Sequence, residues 1–170
     1  MTTRTNKPIL FVDVDGVISL FGFPPSVDDF PGAFHTVDGI AHCISPGTGE
    51  RLVRLAERFE LVWATGWEER ANEHLPWLLE LPFRELPTLT FGEAAVFGSA
   101  HWKLSAMEEY AHGRPAAWID DNLDEECEEW AAGRAEPTLL VLTEPAVGMS
   151  DEHVRALLDW ADQVSADGAA

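Results

Sequence analysis

Short apolar runs alternate along this chain with segments in which apolar residues recur at helical spacing. Such runs are typical of strands buried in a sheet, and the chain has five of them, at residues 9–14, 60–64, 87–91, 116–119 and 138–142. Between them one helix face is apolar, as Leu52, Leu55 and Phe59 illustrate. This alternation predicts an α/β fold with a mainly parallel five-stranded sheet, in which ligands bind at the carboxyl ends of the strands.

Residues 17–49 interrupt the alternation. The segment contains four prolines and four phenylalanines, and it is longer than an ordinary connection between elements. It predicts a flap that leans over the sheet edge, with a small hairpin within residues 34–44. A flap that shapes a site and a surface excursion pinned by its aromatic residues fit the composition equally well. Since no linker or repeat divides the chain, residues 1–170 are predicted to form one domain that contains this insertion.

Composition narrows the possible functions. The 170 residues include 30 acidic and 11 basic side chains, for a formal charge of −19, which disfavours binding to long polyanions. Binding of a small phosphate ester remains compatible with this negative charge, because a metal ion and one or two local cations can hold the ester. Two lone cysteines, Cys43 and Cys127, do not make a disulfide framework. The chain lacks a signal-peptide core and any apolar run of the ~20 residues of a membrane span, so a soluble, cytoplasmic protein is expected.

Two acidic residues, Asp13 and Asp15, leave the end of the first predicted strand. Alternation along a strand directs both side chains to one side, and two like charges at a buried strand end need a cation. Magnesium, which prefers oxygen ligands, meets that need, and Gly16 allows a tight turn beside a ligand. A strand followed by an ordinary Asp-Gly turn explains the same string, so the motif alone is only moderately specific.

Two further candidates follow the second and third predicted strands. Thr65 precedes Gly66, and a hydroxyl with backbone N–H groups at a helix start can hold a phosphate. With Glu68, Thr65 also fits a helix capping box, and this structural interpretation is the stronger one for Thr65 alone. Lys103, one of two lysines, lies where a helix begins. A cation is unfavourable there, which indicates an anionic partner, although a solvated lysine fits as well.

Adjacent acids, Asp120 and Asp121, follow the fourth predicted strand. Asp121 or Asn122 can cap the next helix, but a cap does not need two acids. In a parallel sheet the groups that follow these strands converge on one edge. Phosphoryl transfer needs a nucleophile, an acid/base, a metal and donors for the phosphoryl oxygens. The combination therefore predicts a magnesium-dependent phosphotransfer enzyme with an aspartate nucleophile.

The ordered set resembles the haloacid dehalogenase (HAD) superfamily, most of whose members are phosphatases. Its motifs are similar to residues 13–17 (DVDGV), Thr65, Lys103 and residues 120–121. The short flap, the WATGW string and the PAVGM string at residues 145–149 are similar to the HAD domains associated with Swiss Army Knife RNA-repair proteins. The resemblance implies a three-layer, Rossmann-like core with the first strand between the second and the fourth, and no full cap domain.

The resemblance also implies a role for each residue. Asp13 attacks phosphorus and forms an aspartyl-phosphate, while Asp15 protonates the leaving group and then activates water. The transferred phosphoryl group is bound by Thr65, Gly66 and Lys103. The implied ligands of Mg²⁺ are the Asp13 carboxylate, the backbone carbonyl of Asp15, and Asp120 or Asp121.

The sequence leaves the substrate open. Hydrolysis of a phosphate monoester is the leading hypothesis. Removal of a terminal phosphate from RNA or DNA is an alternative that the small flap and the adjacent acids favour. A non-catalytic binding module is a third, because an aromatic flap and high acidity suit a protein partner. No membrane partner is expected, and the oligomeric state is not predicted.

Overall fold

Seven strands and five α-helices make up the computed structural model of this chain, which describes residues 6–26, 28–93 and 99–168. The strands are β1 (Ile9–Val12), β2 (Ser19–Leu20), β3 (Ala33–Val37), β4 (Ile40–Ile44), β5 (Glu60–Trp63), β6 (Ala116–Asp120) and β7 (Thr138–Leu142). The helices are α1 (Thr48–Ala56), α2 (Arg70–Leu78), α3 (Leu104–Ala111), α4 (Glu125–Gly133) and α5 (Asp151–Asp167), and a short 3₁₀ helix, His101–Lys103, precedes α3. None of the helices in these ranges is long and apolar enough to cross a membrane.

A four-stranded parallel sheet has the order β5-β1-β6-β7. Strand β1 pairs on both sides, and all four of its residues are buried, which explains its unbroken apolar sequence. The expected position of the first strand, between the second and the fourth predicted strands, is confirmed. So is the α/β class with a parallel sheet.

The third predicted strand, residues 87–91, does not become a strand of this sheet. Thr88 makes one isolated parallel bridge to Trp63 at the edge of β5. The Trp63 N–H donates to the Pro87 carbonyl at 2.9 Å, and the Leu89 N–H donates to the Trp63 carbonyl at 3.0 Å. Pro87 has no N–H to extend the ladder. Within the described ranges the parallel sheet therefore has four strands, and the expectation of five was wrong.

The two faces of the parallel sheet carry separate hydrophobic clusters. Along β1, alternation sends Leu10 and Val12 to one face and Ile9 and Phe11 to the other. The first face packs against apolar residues of α1, α2 and α5, and the second against those of α3 and α4. The result is the three-layer arrangement that the resemblance implied.

The flap contains a second, antiparallel sheet with the order β2-β4-β3. Strands β3 and β4 form a hairpin, as predicted, and its turn is made by Asp38 and Gly39 with φ angles of 49° and 81°. Asp-Gly favours this left-handed pair of conformations. Val37 and Ile44 of the hairpin belong to the main hydrophobic cluster, whereas Phe34 and Ile40 are exposed. Val37 and Ile44 thus anchor the hairpin on the core.

The chain after β7 passes very close to the base of the flap. Gly148 has a φ of 70°, and a Cβ atom there would lie 2.6 Å from the Val17 carbonyl oxygen and closer still to the Leu20 side chain. The Met149 N–H donates to the same Val17 carbonyl at 2.9 Å. Only glycine fits between these atoms, which accounts for its place in the PAVGM string.

Replacing Gly148 with alanine is expected to destabilise the protein more than the same change at Gly39. Both positions have a left-handed φ, which costs alanine about 1–2 kcal/mol, but an added Cβ at Gly39 would meet no heavy atom within 4 Å. The overlap at Gly148 should cost roughly 1–3 kcal/mol more. Urea unfolding of the two variants measures the difference in free energy of unfolding. Equal losses would contradict a close approach at Gly148.

Candidate active site

Two aspartates meet where the adjacent strands β1 and β6 end. Asp13 follows β1 directly, and Asp120 is the last residue of β6. Their side chains are almost fully buried, and the Asp13 N–H donates to the Ile119 carbonyl at 3.1 Å, which ties the two strand ends together. The parallel pairing of neighbouring strands thus places both carboxylates at the same edge.

Lys103 lies between these two carboxylates. Its Nζ donates to Asp120 Oδ2 at 2.6 Å and lies 3.1 Å from Asp13 Oδ1. The side chain is only 4% exposed, and the 3₁₀ helix before α3 positions its backbone, with the Lys103 N–H donating to the Ala100 carbonyl. The lysine therefore has the anionic partner that its position at a helix start indicated, and it has two of them.

Asp121 completes a cluster of three carboxylates. One oxygen from each of Asp13, Asp120 and Asp121 lies within 4.8 Å of the others. Gly16, with a φ of 79°, allows this approach, because a Cβ there would lie 2.6 Å from the Asp121 Cβ and closer still to its carboxylate. The glycine of the DVDGV motif is therefore required by the acid that follows the other strand.

Burial and the charges of the cluster shift the pKa values of its members. Burial raises the pKa of Asp13 above its ordinary value, Lys103 partly opposes that shift, and Asp120 adds to it. Burial and the charge of Asp120 raise the pKa of Asp121 to about 6. Burial alone would lower the pKa of Lys103, but its two carboxylate neighbours outweigh that effect and raise it. Three carboxylates thus face one ammonium group.

The three carboxylates fit a bound magnesium ion. Their donors are all oxygens, which Mg²⁺ prefers, and a divalent cation would offset the charge that Lys103 leaves uncompensated. Asp13, Asp120 and Asp121 are the residues whose side chains could hold it. The Asp15 carboxylate is not one of the three donors, and coordination by its backbone carbonyl stays a prediction.

Asp15 occupies a different environment from Asp13. It is exposed, and its Oδ2 accepts a hydrogen bond from the Trp67 Nε1–H at 3.1 Å. The expectation that the side chains of Asp13 and Asp15 point to the same side assumed a strand that continues to residue 15. Instead β1 ends at Val12, and the Val14 carbonyl accepts bonds from the N–H groups of Val17, Ile18 and Ser19 in a tight turn.

Thr65 lies just beyond the end of β5, which neighbours β1. It is fully buried, and its hydroxyl oxygen accepts a hydrogen bond from the Trp67 N–H at 3.2 Å. The predicted capping box is wrong, because α2 begins only at Arg70 and Glu68 accepts a bond from the Phe91 N–H instead. Phosphate binding by Thr65 and Gly66 stays a prediction.

The helix after β6 is capped by a later residue than expected. Asp124 is the N-cap of α4 and accepts from the Cys127 N–H at 3.1 Å, so neither Asp121 nor Asn122 has that role. The second oxygen of Asp124 lies 2.8 Å from His101 Nδ1. Both acids of the adjacent pair are therefore left for the cluster. Sequence inspection missed the Asp124–His101 pair, for which no local pattern gives a signal.

Comparisons with known proteins give the class of this protein. The chain is a HAD domain. A family model described as "HAD domain in Swiss Army Knife RNA repair proteins" matches residues 9–154, and the chain belongs to that family. A search of curated proteins gave no match.

Solved structures of low sequence identity share the fold. The HAD domain of the effector protein Lem4 from Legionella pneumophila aligns with a TM-score of 0.58 at 16% identity, covering 93% of this chain and 97% of that one. The inactive mutant of that HAD domain aligns with a TM-score of 0.59 at 15% identity, covering 95% of this chain and 97% of that one. A hypothetical protein from Xanthomonas campestris aligns with a TM-score of 0.50 at 14% identity, covering 96% of this chain and 88% of that one. At these identities the likeness concerns the fold alone.

The raised pKa of Asp121 predicts a pH-dependent stability in metal-free protein. A carboxyl whose pKa is raised in the folded state contributes stability that is lost as pH rises from its ordinary 3.8 through about 6. In EDTA, Asp121→Asn should therefore gain stability relative to wild type over this interval and then level off. Urea unfolding from about pH 4 to about pH 7 measures the difference.

The matched control for this measurement is Asp159→Asn, which makes the same chemical change on the exposed side of α5. Its difference from wild type should stay flat over the same interval. If the difference in free energy of unfolding between Asp121→Asn and wild type also stayed flat, it would contradict a raised pKa of Asp121 in the carboxylate cluster.

Proposed function

We propose that this protein is a Mg²⁺-dependent phosphatase that hydrolyses a phosphate monoester through an aspartyl-phosphate on Asp13. The observation that carries the proposal is the buried pairing of Lys103 with both Asp13 and Asp120 beside Asp121. In this proposal residues 1–170 form one cytoplasmic catalytic domain, with the flap at residues 17–49 as an insertion.

Asp13 is the nucleophile in this mechanism. One of its oxygens attacks phosphorus, the bond from phosphorus to the ester oxygen breaks, and the electron pair stays on the departing oxygen. Lys103, 3.1 Å from Asp13 Oδ1, lowers the pKa of this carboxyl group against the larger effect of burial. It also lies where it can neutralise a phosphoryl oxygen. The buried position excludes bulk water from the nucleophile.

Asp15 transfers protons in both half-reactions. Its carboxyl group gives a proton to the departing ester oxygen, and its carboxylate then takes a proton from the water that attacks the aspartyl-phosphate. That attack breaks the bond between phosphorus and Asp13 and releases inorganic phosphate. The exposure of Asp15 supports this role, because the leaving group and the water must both reach it.

Thr65, Gly66 and Lys103 hold the phosphoryl oxygens. Thr65 lies just beyond β5, the strand beside β1, and its hydroxyl group and the Gly66 N–H add neutral donors to the positive charge of Lys103. When bound, Mg²⁺ supplies neutralisation of the phosphoryl charge. It would be held by Asp13, the Asp15 carbonyl, and Asp120 or Asp121.

Replacing Asp13 with asparagine is expected to abolish phosphatase activity. Asparagine keeps the shape but is a far weaker nucleophile, so hydrolysis of p-nitrophenyl phosphate in Mg²⁺ should fall by on the order of 10³-fold or more. EDTA should remove wild-type activity, and Mg²⁺ should restore it. Asp159→Asn, on the exposed side of α5, is the control and should keep wild-type activity. Full activity of Asp13→Asn would refute the assigned nucleophile.

A terminal phosphate on RNA or DNA is a second candidate substrate. The family description, which refers to RNA repair proteins, favours it, whereas a net charge of −19 works against a long polyanion. We expect a 3′-phosphorylated oligonucleotide to be hydrolysed with a higher kcat/KM than small phosphate metabolites if a chain end is the substrate. A clear preference for the metabolites would exclude that candidate, and a folded protein inactive on both would favour a non-catalytic binding module.

A further inference from the structure

Trp67 is the contact between the proposed acid/base and the rest of the protein. Its indole Nε1–H donates to Asp15 Oδ2 at 3.1 Å. The ring is 8% exposed, whereas Asp15 is an exposed residue in the turn after β1. A buried, rigid donor thus reaches out to a carboxylate that would otherwise rotate freely at the surface.

The flap holds the indole ring in place. His42 of β4 packs against it with ring centroids 4.8 Å apart and an interplanar angle of 62°. The Nδ1 of His42 lies 2.8 Å from Ser19 Oγ of β2, so the histidine is itself fixed inside the flap sheet. Trp67 is therefore clamped from one side by the flap.

A second contact links the same ring to the flap through Arg70 of α2. The guanidinium of Arg70 lies 5.8 Å from the centroid of the Trp67 ring and donates through Nε to Asp38 at 2.9 Å. Asp38 is at the turn of the β3–β4 hairpin. The backbone of Trp67 is held independently, because its N–H donates to Thr65 Oγ1.

We propose that Trp67 is a positioning residue, which orients the Asp15 carboxyl group for proton transfer and makes that orientation depend on the flap. The inference rests on the phosphatase function proposed above. An indole N–H can only donate, so Oδ2 must accept, and the transferable proton of Asp15 is carried by Oδ1. The hydrogen bond thereby selects which oxygen delivers the proton to the departing ester oxygen.

This role predicts an effect that depends on the leaving group. Nitrophenolate departs from phosphorus without being protonated, whereas the alkoxide of glycerol 2-phosphate needs a proton as the P–O bond breaks. Trp67→Phe keeps the ring against His42 but removes the donor. Its kcat/KM should fall by about 10-fold or more for glycerol 2-phosphate and by less than about 3-fold for p-nitrophenyl phosphate.

A matched control is available in α4. The Nε1–H of Trp130 also donates to a carboxylate, Glu108 Oε2, at 2.9 Å. Trp130→Phe should leave the ratio of the two kcat/KM values unchanged. In an Asp15→Ala background, Trp67→Phe should likewise leave that ratio unchanged, because the group that it positions is already gone.

The outcomes separate this inference from the proposed function. Equal losses on both substrates in Trp67→Phe would make Trp67 merely structural and overturn the inference while the phosphatase function stands. Wild-type protein that hydrolyses neither substrate would overturn both.

A measurement without turnover tests the hydrogen bond directly. The indole ¹H–¹⁵N resonance of Trp67, assigned in the wild-type protein from its intraresidue NOEs, should shift upfield in Asp15→Ala, because its acceptor is lost. A resonance that stays in place would overturn the inference whatever the activity, including the case in which Trp67→Phe does not fold.

Discussion

One buried ammonium group, the Nζ of Lys103, connects the carboxylates that end two neighbouring strands, and the rest of the site depends on this contact. Removing the lysine and two aspartates from water is costly, and their mutual pairing offsets much of that cost. Asp13 and Asp120 together carry one negative charge more than Lys103 can balance, and Asp121 adds another. Without a further cation or a bound proton, the protein therefore holds these carboxylates together at a cost in free energy. The same arrangement suits Mg²⁺.

The sheet makes this costly cluster possible by leaving the surrounding backbone little freedom. The Asp13 N–H is bonded to the end of β6, and Thr143, just after β7, donates its hydroxyl hydrogen to the Gly16 carbonyl at 2.8 Å. The loop that carries the DVDGV motif is thus held by the ends of two other strands. Because both restraints hold the backbone of this loop, they oppose a shift that would relieve charge repulsion among the carboxylates.

Sequence patterns predicted the parts of this structure that follow from sheet topology. Carboxylates that follow parallel strands lie at the same edge of the sheet. The electrostatically unfavourable position of Lys103 at a helix start already indicated an anionic partner. The errors concern non-local hydrogen bonds. Glu68 accepts a hydrogen bond from the Phe91 N–H instead of capping its own helix. The segment near Thr88 makes only an isolated bridge to Trp63. The Trp67–Asp15 bond joins residues 52 positions apart, a separation at which no local pattern gives a signal.

Two aspartates only two positions apart have opposite surroundings, and the proposed mechanism needs that contrast. A nucleophile benefits from burial beside a fixed cation, whereas an acid that serves both a leaving group and water must stay accessible. Accessibility brings rotational freedom, which the sheet cannot remove for an exposed side chain. Tryptophan resolves this conflict because its ring packs under the flap while one edge presents a donor outward. Phenylalanine could also place an aromatic ring against His42, so the packing explains an aromatic residue at position 67, whereas the bond to Asp15 accounts for the indole nitrogen.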